Sequence, residues 1–310
     1  ATRLETLAHE VNQGAQINFA DPDAPDGVFW ERQIEPYRGQ NWYEPPWFFA
    51  ETLFFRAILA ATGYFQPGSG QGIDPYAHQK RQGLEAALRS TAALAERGRQ
   101  TRKPQSEIVV DALHAALWGN QADLSLWPIG GNDAAPGLHT RRLLHDDAAM
   151  TTHYLQTLPR PERIDLVLDN TGAELLADLA LVDPLLDRGI ASHIQLHVKP
   201  YPTYVSDCTA ADVAETIDRL ATDTHPELQL LGKRLADALA DKRITTPTHW
   251  FWTSPLAGWD LPDDLRMDLT SARLVISKGD ANYRRWLGDR HWPATTPFAA
   301  IVNYMPVPLL

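Results

Sequence analysis

The chain has 310 residues, a formal net charge of -11 and a hydrophobic fraction of 44%. That length can bury a large core in one domain or two. The acidic balance argues against a broad nucleic-acid surface, which needs clustered Lys and Arg, yet it leaves room for a locally basic pocket that takes a phosphorylated small molecule. No apolar stretch reaches the ~20 residues that span a bilayer, so no membrane association is expected. The N-terminal Ala1-Thr2-Arg3-Leu4-Glu5 has no apolar core like that of a signal peptide. The single cysteine, Cys208, cannot form an intrachain disulfide, and a cytoplasmic protein is expected.

The first part of the chain reads as helical. Trp47 to Arg56 is strongly apolar, interrupted by Glu51 and Arg56. Leu84, Leu88 and Leu94, with alanines between them, predict a helix over about 80–97 that Gly98 ends. Gly98 to Gln105 reads as a loop, and Ile108 to Trp118 as a further apolar-faced helix. The pattern breaks between 120 and 160, at Gly130-Gly131-Asn132-Asp133 and Pro159-Arg160-Pro161. The expected organisation is a helical N-terminal subdomain over 1–125 and an α/β domain over 126–310. In the second part, apolar runs near 163–168, 193–198, 249–252, 273–277 and 299–304 alternate with helical patterns. Val213, Ile217 and Leu220 form one such face, and Leu228, Leu231, Leu235 and Leu239 another. This alternation predicts βαβ units around a mostly parallel sheet.

Two motifs directly follow predicted strands. Asp169-Asn170-Thr171-Gly172-Ala173-Glu174 follows one, and Lys278-Gly279-Asp280-Ala281-Asn282-Tyr283 the other. Ligands of open α/β sheets bind at the carboxyl ends of strands. A carboxylate and an amide oxygen, Asp169 and Asn170, are hard ligands suited to Mg²⁺ or Mn²⁺, and Asp280 offers a second carboxylate for the same ion. Glu174 suits the first turn of the next helix. The competing reading is that Asp169 or Asn170 caps that helix, and that Arg284 and Arg285 are solvated.

Lys278 is a candidate to neutralise a phosphoryl oxygen, and Asn282 to bind ligand. Lys199, at the end of the strand Ile194 to Val198, is a candidate phosphate contact. Ser206 or Asp207 is expected to cap the helix starting near Ala210, and His197 to be structural. In the helical half, Asn120 suits a polar contact to substrate. Glu51 and Arg56 form a buried pair or face a polar ligand.

In family order, Pro46-Trp47-Phe48-Phe49-Ala50-Glu51 with Arg56, Asp74-Pro75-Tyr76 with Lys80, Leu117-Trp118-Gly119-Asn120 with Asp123, the hexapeptide from Asp169, His197-Val198-Lys199, Val205-Ser206-Asp207 and the motif from Lys278 resemble the metal-dependent damage-control phosphatases. The eukaryotic sugar-phosphate branch of that family was also named acidic-residue methyltransferase. The resemblance implies a Rossmann-like three-layer α/β/α core with a helical N-terminal part. It also implies a divalent ion held by Asp169, Asn170 and Asp280, with Mn²⁺ the leading choice and Co²⁺, Ni²⁺ or Mg²⁺ able to serve. The implied substrates are phosphorylated metabolites, including fructose 1-phosphate and fructose 6-phosphate. Lys199 joins the ligands in catalysis, and Glu51, Arg56, Asn120, Glu174, Lys278 and Asn282 are expected around the substrate.

Either water or Asp169 itself serves as nucleophile. Family members continue past the last strand into an Arg-Thr-x-Lys phosphate-binding segment, and the sequence given ends at Leu310, where that segment would begin. The alternatives are an S-adenosylmethionine-dependent carboxyl (glutamate) methyltransferase, which would want a glycine-rich loop after the first core strand, and a non-catalytic sugar-phosphate-binding protein.

Overall fold

A computed structural model describes residues 2–98, 105–119, 143–158 and 162–310. Helices α1 (Thr2–Asn12), α2 (Gly27–Ile34), α3 (Trp47–Thr62), α4 (Ala77–Gly98), α5 (Gln105–Trp118) and α6 (Ala148–Gln156) precede the sheet. Strands β1 (Glu162–Val167), β2 (Ala191–His197), β3 (Ile244–Thr245) and β4 (Leu274–Ser277) then alternate with α7 (Ala173–Asp187), α8 (Ala210–Ala221), α9 (Pro226–Ala240) and α10 (Asp263–Leu269). Helices α11 (Asp280–Leu287) and α12 (Phe298–Ile301) follow β4. The expected boundary at 125/126 lies outside the described residues.

The sheet is parallel throughout, in the order β3-β2-β1-β4. The chain runs outward from β1 through β2 to β3, then returns to lay β4 on the other side of β1. The gap between β1 and β4 is therefore a topological switch point, where loops at the carboxyl ends diverge and leave a crevice. Both motifs singled out in the sequence emerge there.

Alternation along β1 sets the layers. Ile164 and Leu166 face one core with Leu175, Leu179 and Val182 of α7. Val167 faces the other with Val275, Trp252 and Trp286. Helix α7 is apolar nearly all round because it is buried between the sheet and α4 and α5, and Leu84, Leu88, Val109 and Leu113 share its core. Helices α4 and α5 thus share one core with α7 and one face of the sheet. Trp30, Trp42, Phe49 and Leu53 make a separate aromatic cluster around α3, which ends at Gly63 with φ 75°.

Two expected strands are something else. Residues 249–252 fall on a 3-10 turn, Trp250–Thr253, and 299–304 on α12 and its exit turn. Both are short aromatic or apolar runs whose periodicity cannot separate a strand from a buried helical turn. The extended segment beside β4 comes instead from the last residues: Leu310 N–H donates to Val275, and Val275 N–H to Pro308. No helix among the described residues is long and apolar enough to cross a membrane.

Candidate functional site

The turn after β1 carries Asp169 and Asn170. Helix α7 is entered through Gly172, at φ 70° and ψ -131°, with no side chain capping it. Neither Asp169 nor Asn170 is spent on a cap, so both remain available. Asn170 Nδ2 donates to Asp169 Oδ2 at 2.8 Å and to Glu174 Oε2 at 3.0 Å, while its Oδ1 accepts from Ser206 Oγ at 2.6 Å. Asp169 is buried, and no hydrogen-bond donor among the described residues reaches its Oδ1.

Asp207 completes this turn. An antiparallel bridge pairs Asn170 with Asp207, the Cys208 amide donates to the Asp169 carbonyl at 2.7 Å, and the Thr171 amide donates to Ser206. Asp207 does not cap α8. Thr209 does, in a capping box with Asp212. The Thr209-x-x-Asp212 spacing is the sequence signal that would have released Asp207 from the capping role. Once released, Asp207 turns inward and is buried.

Lys199 Nζ lies 3.2 Å from Asp207 Oδ2 and 3.8 Å from Asp169 Oδ1, and donates to the Leu168 carbonyl at 2.9 Å. Behind them, Lys278 Nζ contacts Glu174 Oε1 at 3.2 Å and Asp178 Oδ1 at 3.1 Å. Lys278 is therefore engaged by two carboxylates at the base of the site. Asn282 Nδ2 donates to the carbonyls of Leu168 and Lys278, tying α11 to the turn after β1, and its Oδ1 has no hydrogen-bond partner among the described residues. Gly279, φ 84°, lets the backbone pass against Asp169: a Cβ there would lie 1.9 Å from Oδ2. Asp280 starts α11 at the exposed edge, and its charge reaches Asp169.

The electrostatics are those of an acidic pocket short of cations. Burial first, then the charge of Asp207, pushes the Asp169 carboxyl well above its usual range. Burial likewise raises Asp207, against the pull of Lys199. Burial raises Asp178 to about 7, whereas Lys278 is held charged because its two acids outweigh burial. Two lysines thus face four buried acids, Asp169, Asp207, Glu174 and Asp178. The excess of buried carboxyl groups over ammonium groups, the unpartnered Asp169 Oδ1 and the all-oxygen donor set fit a divalent cation.

A second group offers metal-type donors. Asp165, His197 and Asp268 hold ligand atoms within 4.8 Å of one another. This donor set is of a kind that suits a divalent ion, but Arg163 already fills it. Its guanidinium donates twice to Asp165 at 2.7 Å and reaches both Asp268 carboxylate oxygens at 3.0 and 3.1 Å. His197 Nε2 lies 2.9 Å from Asp165 Oδ2, the structural partner expected for it.

The other expected residues are spread more widely. Glu51 and Arg56 do not pair with each other. Glu51 meets Arg284 Nη1 at 2.8 Å, beside the site's outer edge. Arg56 is buried beneath α3, where it grips Asp26 through Nε and Nη2, reaches Asp21 through Nη2, and stacks over Phe65 at 4.5 Å. Asn120 lies outside the described residues. Its neighbour Gly119 packs against Glu174, with a Cβ position 3.0 Å from the Glu174 Cα. Arg285, solvated on the competing reading of its motif, is buried. It donates to the carbonyls of Trp252, Ser254 and Leu256, and burial lowers its pKa to about 10. Trp286 beside it, also buried, was the sequence hint that this face turns inward.

The family described as the damage-control phosphatase ARMT1-like domain matches residues 1–305. The chain is 28% identical to damage-control phosphatase ARMT1 of Danio rerio, over 99% of this chain and 75% of that protein. It is 31% identical to that of Xenopus laevis, over 87% of this chain and 66% of that protein. It is 28% identical to that of Mus musculus, over 99% and 76%. A crystal structure of a DUF89 family protein from Pyrococcus horikoshii aligns with a TM-score of 0.46 at 17% identity, covering 99% of this chain and 95% of that one.

Proposed function

Since the chain belongs to the damage-control phosphatase ARMT1-like domain family, and is by that membership a hydrolase of phosphate esters, we propose that it dephosphorylates small phosphorylated metabolites, sugar phosphates such as fructose 1-phosphate or fructose 6-phosphate foremost. The observation that carries this reading is the pair of buried acids Asp169 and Asp207 at the switch point, with one oxygen of Asp169 unpartnered and Lys199 between them.

Asp169, Asn170 and Asp207 are the residues that would hold a divalent ion, with Asp280 reaching it from the open edge. Mn²⁺ is the ion we take it to use. When bound, the ion polarises the phosphoryl group and neutralises charge on its oxygens. Ser206 orients the Asn170 amide, and Glu174, itself fixed by Lys278, accepts from the same amide. Lys199 adds a fixed positive charge where negative charge accumulates on phosphorus-bound oxygens. Asn282 is anchored through Nδ2, and its buried Oδ1, without a hydrogen-bond partner among the described residues, is left to bind ligand. The nucleophile is water in this reading: a bond from its oxygen to phosphorus forms as the ester oxygen leaves, giving an alcohol and inorganic phosphate.

Phosphate release from the two fructose phosphates tests the reading. It should require Mn²⁺, stop on chelation, and fall at least a hundredfold in Asp169→Ala. Activity that survives chelation defeats the reading. A trapped phosphoryl-enzyme on Asp169 would replace water as the nucleophile.

A further inference from the structure

Tyr204 and Val205 are consecutive non-glycine residues with φ of 45° and 66°. This left-handed region is costly for any residue with a Cβ, and most so for a β-branched valine. Such strain persists only where surrounding contacts over-determine it. The two residues that follow are Ser206 and Asp207, one holding the Asn170 amide and the other buried beside Asp169.

The contacts that hold the strained turn come from α3. The Tyr204 ring packs on Phe55 with centroids 4.9 Å apart, and its hydroxyl lies 2.5 Å from Thr52 Oγ1. Thr52 is buried and donates its single hydroxyl proton to the Phe48 carbonyl at 2.6 Å. The proton in the Tyr204–Thr52 bond therefore comes from Tyr204. Past the turn, the Ser206 amide closes back on the Tyr204 carbonyl at 2.7 Å, and Asp207 enters its bridge with Asn170. Relaxing the left-handed pair would rotate the peptides that aim both side chains.

We propose that the Tyr204–Thr52 hydrogen bond is a positioning clamp, by which α3 holds the strained turn and so sets the cation affinity of the Asp169–Asn170–Asp207 site. Tyr204 and Thr52 act through Ser206 and Asp207 and are not catalytic residues. The affinity part of this proposal rests on the cation site of the preceding section. The clamp itself is a statement about the turn and has its own readout.

Two measurements on the purified chain test it. In chelator, amide exchange is followed at Thr171 and Cys208, whose N–H groups bond across the turn to Ser206 and Asp169, with Ile194 in the sheet as control. Mn²⁺ affinity is measured separately by calorimetry. Tyr204→Phe and Thr52→Val are each expected to speed exchange at Thr171 and Cys208, and to weaken Mn²⁺ binding, by about tenfold, with Ile194 unchanged. The double variant should be no worse than Thr52→Val, because that substitution already removes the Tyr204 bond together with the one to the Phe48 carbonyl. Thr52→Ser keeps the hydroxyl and should restore both values. Unchanged exchange at Thr171 and Cys208, additive losses, or failure of Thr52→Ser to rescue would each overturn the clamp. If the parent binds no Mn²⁺ but the exchange effects appear, the cation site falls and the clamp stands.

Discussion

Asp169 and Asp207 come from different loops, yet the Cys208 amide donates to the Asp169 carbonyl at 2.7 Å, and Lys199 Nζ sits 3.8 Å from one carboxylate and 3.2 Å from the other. Two buried acids share one cation. In the absence of metal that arrangement costs stability, and it persists because a site built for charge is not built for rest.

Removing one of the two acids should therefore separate stability from function. Asp207→Asn is expected to raise the unfolding midpoint of the chelated protein, since Asp169 then has Lys199 to itself. The same substitution should weaken Mn²⁺ binding and phosphate release by at least a hundredfold. Thermal unfolding in chelator and calorimetry with Mn²⁺ read the two effects on one sample. A lower midpoint in chelator would contradict the repulsion.

The raised acids also set a pH dependence. Asp169, Asp207 and Asp178 all have folded pKa values above the ordinary 3.8, Asp178 at about 7. In the chelated chain the folded state binds more protons than the unfolded one between those values, so stability falls as pH rises. The contribution is complete below 3.8 and lost as pH passes through the raised values, Asp178 near 7 among them. Mn²⁺ favours the deprotonated acids and should flatten this slope. Unfolding midpoints from pH 4.5 to 8.5, with chelator and with Mn²⁺, should show a decline in the first series and a shallower one in the second, the part due to Asp178 remaining.

Arg163 distinguishes the two candidate metal groups. Asp165 is fully buried; burial would raise its pKa, but hydrogen bonds from Arg163 and His197 outweigh it and lower it. Its stabilising contribution is present above 3.8 and lost as pH falls through the lowered folded value. Arg163→Met strips that partner and should cost about 3–5 kcal/mol, the range for breaking a buried pair from one side. Asp268→Asn, at the partly exposed end of the same group, should leave Mn²⁺ affinity unchanged within about twofold. Denaturant unfolding and calorimetry check both. A Mn²⁺ stoichiometry of two that falls to one in Asp268→Asn would show that the guanidinium does not fill the group.

Gly279 is a backbone test of the site. At φ 84° an alanine is strained, and its Cβ would overlap the Asp169 carboxylate. Gly279→Ala should destabilise the chain by about 1–3 kcal/mol and weaken Mn²⁺ binding more than the loss of stability alone explains. Thermal unfolding with and without Mn²⁺ measures it: the metal-induced rise in midpoint should shrink. An unchanged rise would mean that the backbone at 279 does not shape the site.

Much of the sheet was legible because strands buried on both faces read as apolar runs, and β1, β2 and β4 lie where such runs were found. The 3-10 turn at Trp250–Thr253 was misread because an aromatic run of that length carries no period. Asp169, Asn170, Lys199 and Lys278 stand just past strand ends and Glu174 and Asn282 in the first turns of the helices that follow, and the structure brings these six close together. Asp207 was missed because a carboxylate ahead of a helix is ordinarily a cap, and only the backbone bridge to Asn170 turns it inward. Arg56 illustrates the reverse case: its position amid aromatics marked it as important, but its partners Asp21 and Asp26 lie too far away in sequence to be paired by spacing.

By itself the sequence determined the local chemistry: the apolar runs that become β1, β2 and β4, which turns carry an acid and an amide, and which family pattern they follow. Those properties are short-range, written in periodicity and in neighbouring side chains. The tertiary structure alone decided the strand order β3-β2-β1-β4, and with it the crevice where the two motifs meet. It also decided that Asp207 faces Asp169 rather than a helix end, and that Lys278 is spent on Glu174 and Asp178. Charge balance in a buried site is a sum over residues far apart in the chain, so it exists only once the fold has brought them within a few ångströms of one another.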